Sequence, residues 1–366
     1  MTPSPPRSSR AESSDPVAPP DSARGERTGA SLERYRGYLE GRPRLGPETI
    51  HLDVTNTCNL DCVTCWNYGP SLSTPKSTAW KKSKIDPALF FRVLDEACRT
   101  GIERVVLAGG GEPFTHPQIE SFVTAVKQRN LALTIITNGT LCDFDRLAEL
   151  KVDQLLLNVA SATPRTYAAY HPNQPEQTFD KLMRGADRLR GITRVNFVQV
   201  INALNAHELV KMVELAHAHG ARASFKVGDL PKGTEHFALS AEQRGDLAQV
   251  LIPAARARAE ELGVRHNLDA YLAALTGGKG LPACFAGYLY TRVSVEGRVY
   301  FCCAHLDAGD VAKTGFEQVW SAPQYQAMRE RIAKGQWFDA CNRCGKHDMN
   351  FSAERELAGL RAEGLL

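Results

Sequence analysis

Between Ile50 and about Val227 the sequence alternates short β-branched runs with longer amphipathic ones, and this rhythm limits the possible folds more than any other feature. Strands are expected at Ile50–Thr55, Arg104–Ala108, Ala132–Thr137, Gln154–Val159, Val195–Ile201 and Ala223–Val227. Helices are expected over Pro87–Thr100, His116–Arg129, Thr178–Arg190 and Ala206–His219, where apolar residues recur at helical spacing. Six strands in a row, most followed by a helix, predict an α/β fold with a parallel sheet whose chemistry sits at the C-terminal strand ends. Periodicity alone does not separate an open sheet from a full or partial barrel. Ser240–Leu262 reads as an alanine-rich helix kinked or broken at Pro253. Gly277, Gly278 and Gly280 then mark a linker.

Beyond this linker the pattern changes to a hairpin, Tyr290–Val295 and Arg298–Phe301 about Glu296-Gly297, followed by helical segments. At the other end, residues 1 to about 30 hold six of the twenty prolines and six serines but no aromatic residue, leucine or isoleucine. A segment of that composition cannot bury enough apolar surface to offset its ordering entropy and reads as a disordered leader. The expected organisation is a leader (1–30), a core (31–275), a small second unit (276–350) and a helical tail (351–366). The 44 basic and 41 acidic residues leave a net charge of +3, too little for a field that coats nucleic acid. No run approaches the roughly 20 apolar residues of a membrane span, and no apolar secretory segment opens the chain, so a soluble cytoplasmic protein is expected.

Ten cysteines in 366 residues are too sparse for a disulfide scaffold, so their positions carry the information. Cys58, Cys62 and Cys65 fall within eight residues on the loop after the first strand. A structural zinc site closes with four ligands, and no fourth is nearby, His51 lying at the other end of the strand. Three thiolates suit a 4Fe-4S cluster with one iron left open, the alternatives being unconnected thiols or a zinc knuckle with a distant fourth ligand. Cys98, with Phe90, Leu94 and Ile102 on an apolar helix face, and Cys142 on a loop read as small core or surface residues.

The Cys58-x-x-x-Cys62-x-x-Cys65 spacing after a first strand resembles the signature of the radical S-adenosylmethionine (radical SAM) superfamily. The resemblance implies a partial (β/α)6 TIM-like barrel and a 4Fe-4S cluster whose open iron binds S-adenosyl-L-methionine. It also implies reductive cleavage of that cofactor to a 5'-deoxyadenosyl radical that takes a hydrogen atom from substrate. Gly109-Gly110-Gly111-Glu112-Pro113 after the second strand resembles the family's GGEP motif, which makes Gly110, Gly111 and Glu112 contacts of the methionine amino group. Asn158 stands where the family often carries a polar residue near the ribose and carboxylate. The adenine-contacting aromatic residue that usually precedes the third cysteine is replaced by Thr64, and Trp66 follows instead. Near Tyr170 and His171 the family's arginine is missing.

The second unit contains Cys284, Cys302, Cys303 and the pair Cys341-Asn-Arg-Cys344. Folding about Glu296-Gly297 brings Cys284 and Cys302 within reach of one centre, which the CxxC closes as a tetrahedral zinc or an iron-sulfur cluster. The spacing resembles the SPASM and twitch extensions of the superfamily. With no cysteine after the CxxC it implies a small α+β unit with one auxiliary 4Fe-4S cluster on Cys284, Cys302, Cys341 and Cys344, Cys303 being the substitute for Cys302.

The resemblance leaves several reactions open. The first is oxidation of an alcohol carbon in a small polar metabolite, sugar or cyclitol, as in the 2-deoxy-scyllo-inosamine dehydrogenase type. The second is modification of a peptide, usually with a peptide-binding domain that is not read here. Redox-neutral epimerisation or dehydration is the third, and an iron-sulfur or zinc sensor or scaffold is the non-enzyme alternative. The family's reductant would be a flavodoxin or ferredoxin. Gly69–Lys84, with Lys76, Trp80, Lys81, Lys82 and Lys84, reads as a solvated loop or a basic lid over an anionic substrate. Gln199, Lys226 and His305 are polar lining residues or substrate contacts, and no catalytic residue is identified.

Overall fold

The computed structural model describes residues 29–228, 230–276, 283–302 and 306–366. The leader up to residue 28, the glycine linker, Cys303 and His305 lie outside the described residues. Gly29 and Ala30, assigned by composition to the leader, instead open the first helix, α1 (Gly29–Glu40).

Six parallel strands form the barrel wall: β1 (Thr49–Thr55), β2 (Arg104–Gly109), β3 (Ala132–Thr137), β4 (Gln154–Asn158), β5 (Arg194–Ile201) and β6 (Arg222–Val227). Each differs from its expected range by no more than one residue at either end. Between β1 and β2 lie α2 (Thr78–Lys82) and α3 (Pro87–Arg99). The helices α4 (Ile119–Gln128), α5 (Phe144–Glu149), α6 (Pro164–Tyr170), α7 (Gln177–Arg188) and α8 (Leu209–Ala218) fill the later crossovers. Pro87 fixes the first turn of α3, and Asp86 accepts the Ala88 N–H at 2.7 Å. Phe90 of α3 stacks on Phe122 of α4 at 3.9 Å, and burying each such ring contributes about 1.5–3 kcal/mol.

Strand residues alternate between two environments. Leu52, Leu107, Ile135, Leu157, Phe197 and Phe225 point outward into one continuous core with the helices. Their alternates Val106, Asn196, Val198, Ser224 and Lys226 are partly buried and line the barrel's interior. This parallel wall of six strands is a partial TIM barrel.

The expected helix over Ser240–Leu262 is broken into α9 (Ala241–Asp246), a wider π turn (Leu247–Leu251) and α10 (Ile252–Leu262), with α11 (Leu268–Leu275) following. Pro253, in the first turn of α10, has no N–H to return to the preceding turn. The expected hairpin is β7 (Tyr290–Val293) and β8 (Arg298–Tyr300), with β9 (Asp307–Asp310) added antiparallel. Unlike an isolated hairpin, β7 lies parallel to β1, with Thr49 opposite Tyr290 and Leu52 opposite Val293. One nine-stranded sheet therefore runs through both units in the order β6-β5-β4-β3-β2-β1-β7-β8-β9. The remaining helices are α12 (Phe316–Trp320), α13 (Pro323–Ala333) and α14 (His347–Ala362). The tail helix starts within a few residues of Cys344 rather than at residue 351.

Candidate cofactor and iron-sulfur sites

The loop carrying Cys58, Cys62 and Cys65 leaves the C-terminal end of β1 and is held from three sides. Asn59 donates to Thr140 Oγ1 at 2.7 Å and accepts from Asn138 Nδ2 at 3.0 Å, tying the loop to the chain beyond β3. Val63 N donates to the Tyr170 carbonyl at 3.0 Å, and Thr64 Oγ1 and Tyr170 OH share a bond of 2.5 Å at the end of α6. Tyr68 OH accepts the Cys58 N–H at 3.1 Å and donates to the Asn56 carbonyl at 2.7 Å.

Burial pushes all three thiols up, Cys58 to about 11, and the like charge of its neighbours adds to this for Cys58 and Cys62. The backbone N–H groups of Leu60 and Asn67 point at the sulfurs of Cys58 and Cys65, each at 3.4 Å. Three mutually interacting thiols with amide donors on their sulfurs fit an iron-sulfur cluster. Among the described residues no three His, Cys, Asp or Glu side chains converge as a site for a single metal ion. Loading the loop therefore means releasing the thiol protons as the irons bind.

The glycine motif packs against this loop. A Cβ on Gly111 would stand 2.0 Å from the Thr57 carbonyl, and one on Gly110 would stand 2.5 Å from Asn56 Oδ1. Only glycine permits this approach of the β2 turn to the β1 turn. Glu112 is 2% exposed, and its carboxylate accepts from Thr137 Oγ1 (2.7 Å), Asn138 N (2.7 Å) and Phe114 N (3.1 Å). Burial pushes its pKa up to about 7 against these three donors. Its side chain therefore ties the β2 turn to the end of β3.

Asn158 ends β4 on the interior face, and its Oδ1 is buried without a hydrogen-bond partner among the described residues. Two residues on, Ala160 holds φ +57°, a left-handed conformation that is strained for a residue with a Cβ. Asn205 Nδ2 donates to the Ala160 and Val200 carbonyls at 2.8 and 2.9 Å. Glu208 accepts from Ala162 N, Thr163 Oγ1 and Thr166 Oγ1. These clamps between the ends of β4 and β5 were missed in the sequence, although polar residues recur three apart at Asn202, Asn205 and Glu208. Thr64, in the expected aromatic position, is 7% exposed and turned toward Tyr170, whereas Trp66 is 51% exposed.

Gln199 corrects an expectation. It is fully buried on the outward face of β5, because strand alternation gives the interior to Val198 and Val200. Lys226 does point inward, and it pairs with Asp348 of α14. Asn267 Nδ2 reaches both Asp348 oxygens at 3.1 and 3.0 Å while its own Oδ1 accepts the Phe225 N–H.

A second buried group joins β1 to β7. Arg292 Nε and Nη2 both lie 2.8 Å from Asp53 Oδ2, Asp53 Oδ1 is 3.2 Å from His51 Nε2, and Tyr290 OH is 2.9 Å from His51 Nδ1. Burial favours the neutral carboxyl of Asp53, but Arg292 and His51 outweigh it and hold the pKa below the usual range. Burial drives His51 down to about 4 against the pull of Asp53. Lys346 Nζ lies over the Tyr290 ring at 3.7 Å. The chain just after Cys344 thus meets β7 through Lys346 and β6 through Asp348, on either side of the barrel's seam.

In the second unit Cys284 and Cys302 both lie close enough to Tyr325 for their charge to act on it. Cys341 lies in a short 3-10 turn (Asp339–Arg343), and the Lys346 N–H points at Cys344 Sγ at 3.4 Å. Cys98 is partly buried against the core and Cys142 is buried, as expected for packing residues. Among the described residues no helix is long and apolar enough to cross a membrane.

The radical SAM superfamily model matches residues 52–216, and the SPASM model, an iron-sulfur cluster-binding domain, matches 284–345. Domains of the first kind bind a 4Fe-4S cluster and S-adenosylmethionine, and those of the second hold auxiliary clusters. The tungsten-containing aldehyde ferredoxin oxidoreductase cofactor-modifying protein of Pyrococcus furiosus is 35% identical over 104 residues, 28% of this chain and 26% of that protein. The AdoMet-dependent heme synthase of Methanosarcina barkeri is 25% identical over 316 residues, 78% of this chain and 85% of that one. Streptococcus suis SuiB, solved with its precursor peptide SuiA, shares the fold with a TM-score of 0.60 at 16% identity, covering 81% of this chain and 70% of SuiB. The chain belongs to the radical SAM superfamily, and its C-terminal part is a SPASM iron-sulfur domain.

Proposed function

We propose that the protein is an enzyme that cleaves S-adenosylmethionine reductively and removes a hydrogen atom from a small polar metabolite, oxidising an alcohol carbon of sugar or cyclitol type. When bound, the cluster and S-adenosylmethionine supply the 5'-deoxyadenosyl radical. Cys58, Cys62 and Cys65 hold the cluster, the backbone of Gly110 to Glu112 receives the methionine amino group, and Asn158 offers its unpartnered oxygen to the ribose side. Cys284, Cys302, Cys341 and Cys344 hold one auxiliary 4Fe-4S cluster.

The observation that carries the substrate class is the barrel's inner surface near β5 and β6. The Lys226–Asp348 pair, near the C-terminal end of β6 and partly exposed, offers hydrogen-bonding groups to a hydroxylated molecule. Access above them is narrowed by the loop after the cysteines, which crosses to the chain beyond β6, Ser73 N donating to the Lys232 carbonyl at 3.0 Å. A polar pair beneath such a loop suits a small hydroxylated molecule better than an extended chain. Peptide modification is the second reading, favoured by the SPASM domain itself.

Anaerobic reconstitution tests the proposal. We expect about eight irons per chain, the content of two 4Fe-4S clusters, and 5'-deoxyadenosine on reduction. Deuterium from a labelled polar-metabolite pool should appear in that product. Label arriving only from peptides would replace the substrate class, and two zincs with no adenosine product would refute the enzyme.

A further inference from the structure

Arg329 of α13 carries a charge into the interior of the second unit, where it is 1% exposed. Its Nε donates to the Gly287 carbonyl at 2.7 Å and its Nη2 to the Trp320 carbonyl at 2.9 Å, and Nη1 lies 3.5 Å from Gln326 Oε1. The guanidinium carbon stands 4.3 Å from the centre of the Tyr325 ring, 4.4 Å from that of Trp320 and 5.7 Å from that of Tyr288. Among the described residues no aspartate or glutamate pairs with it. Carbonyls and ring faces offset part of the cost of burying the cation, but burial still pushes its pKa down to about 10.

Arg329 is tied to the surroundings of both Cys284 and Cys302. The Gly287 carbonyl that it holds is three residues after Cys284, at most about 11 Å of chain. A Cβ on Gly287 would stand 2.3 Å from the ring of Phe301, the residue before Cys302. Tyr325, under the guanidinium, donates to Thr291 Oγ1 at 3.0 Å, and Thr291 Oγ1 donates to the Tyr300 carbonyl at 3.0 Å, two residues before Cys302. Burial raises the Tyr325 pKa, the charges of Cys302 and Cys284 add to this, and Arg329 opposes them. Four thiolates around a 4Fe-4S core leave a negative charge that grows by one on reduction, and a nearby cation favours the more negative, reduced form. We propose that Arg329 supplies the buried countercharge of the auxiliary cluster on Cys284, Cys302, Cys341 and Cys344 and raises its reduction potential, which makes that cluster a better electron acceptor. This rests on the reading that those four cysteines hold one 4Fe-4S cluster. On reduction the cluster gains one electron, the reductant loses one, and no bond forms or breaks. A unit charge about 12 Å away, at an effective dielectric constant of about 20, shifts a one-electron equilibrium about tenfold.

The test is a redox titration of the reconstituted full chain carrying Cys58→Ala, Cys62→Ala and Cys65→Ala, so that the auxiliary site alone is loaded. Dithionite and mediators set the potential, and the reduced cluster is read by its electron paramagnetic resonance signal. At the potential where the parent is half reduced, Arg329→Met should change the reduced-to-oxidised ratio about tenfold towards oxidised, a midpoint about 59 mV lower. Arg329→Gln, which can still donate to the Gly287 carbonyl, should show the same shift, and Arg329→Lys, which keeps the charge, should stay within about twofold of the parent ratio. A fully loaded Met or Gln variant with an unchanged midpoint would overturn the proposal, because Arg329 would then only pack. So would a lysine variant shifted as far as the uncharged ones. Loss of iron from Met and Gln but not from Lys would support it, since loading itself would then need the charge; loss from all three would overturn it. A parent that binds no iron at this site would refute the four-cysteine reading and the proposal with it, whereas an unchanged midpoint removes only the role of Arg329.

Discussion

The two cysteine sites are assembled in opposite ways. In the first, Cys58, Cys62 and Cys65 share one loop at the end of one strand, and its hydrogen bonds run to the chain beyond β3 and the end of α6. In the second, cysteines spread from 284 to 344 are brought in by a strand docked on β1 and by the turn that leads into α14. A local site inherits its geometry from the strand that ends there. A dispersed site depends on long-range packing, and the interior contacts of Lys346 and Asp348 tie it to the barrel. Ligation in the SPASM part and the shape of the barrel's seam are therefore one problem, whereas the first loop is supported even when that seam is loose.

The largest expected effect separates the two sites by chemistry. Replacing Cys58, Cys62 and Cys65 by alanine should remove S-adenosylmethionine cleavage to below about a thousandth of the parent while leaving about half the iron. Replacing Cys341 and Cys344 should also halve the iron but spare some cleavage uncoupled from substrate, and should raise hydrogen exchange in the first turns of α14. Full retention of iron in the second variant would remove the auxiliary assignment, and rigid α14 amides would remove the coupling of ligation to the seam.

Next in size is Arg292→Ala, which leaves the Asp53 carboxylate buried without its guanidinium. The loss of a buried partner costs about 3–5 kcal/mol, read as a lower denaturant midpoint. A companion Asp53→Asn/Arg292→Met variant, in which neither charge stays buried, should recover part of that loss.

Acid should loosen the same contact between β1 and β7. His51 titrates near 4 when folded, against an ordinary value near 6.5, so between these values the unfolded chain binds a proton that the folded one does not. Stability from this group is complete above about pH 6.5 and falls by about 3 kcal/mol as the pH drops through 4. His51→Gln should show a smaller drop than the parent in the same buffers, a comparison in which acid loss of the clusters cancels. Equal slopes would show that His51 does not carry the effect.

The smallest effect is expected at Asp348→Asn. Its pair with Lys226 is more than a third exposed on both sides, so breaking it should cost only about 0.5–1 kcal/mol. A larger fall in turnover than in stability would mark the pair as a substrate contact rather than a seam contact.

The barrel strands were legible because most carry β-branched residues and each buries an apolar outward face, and the helices because their apolar residues recur at helical spacing. The first cysteine loop was legible for the same local reason. Glu112 was legible as part of a motif, but the burial that turns its carboxylate onto Thr137 and Asn138 was not. Gln199 was misjudged because a position near a strand end does not say which face it occupies. The group formed by His51, Asp53, Tyr290 and Arg292 could not be read at all, since it joins residues 239 apart in the chain.

The sequence by itself determined the α/β alternation, the cysteine spacings and the glycine turn, all of which depend on residues within a few positions of one another. Only the tertiary structure decided that β7 extends the barrel sheet on β1, that Lys346 and Asp348 meet the two sides of its seam, and that Trp66 stays outside. Those outcomes depend on which distant surfaces exclude water together, and no local pattern encodes the choice of partner.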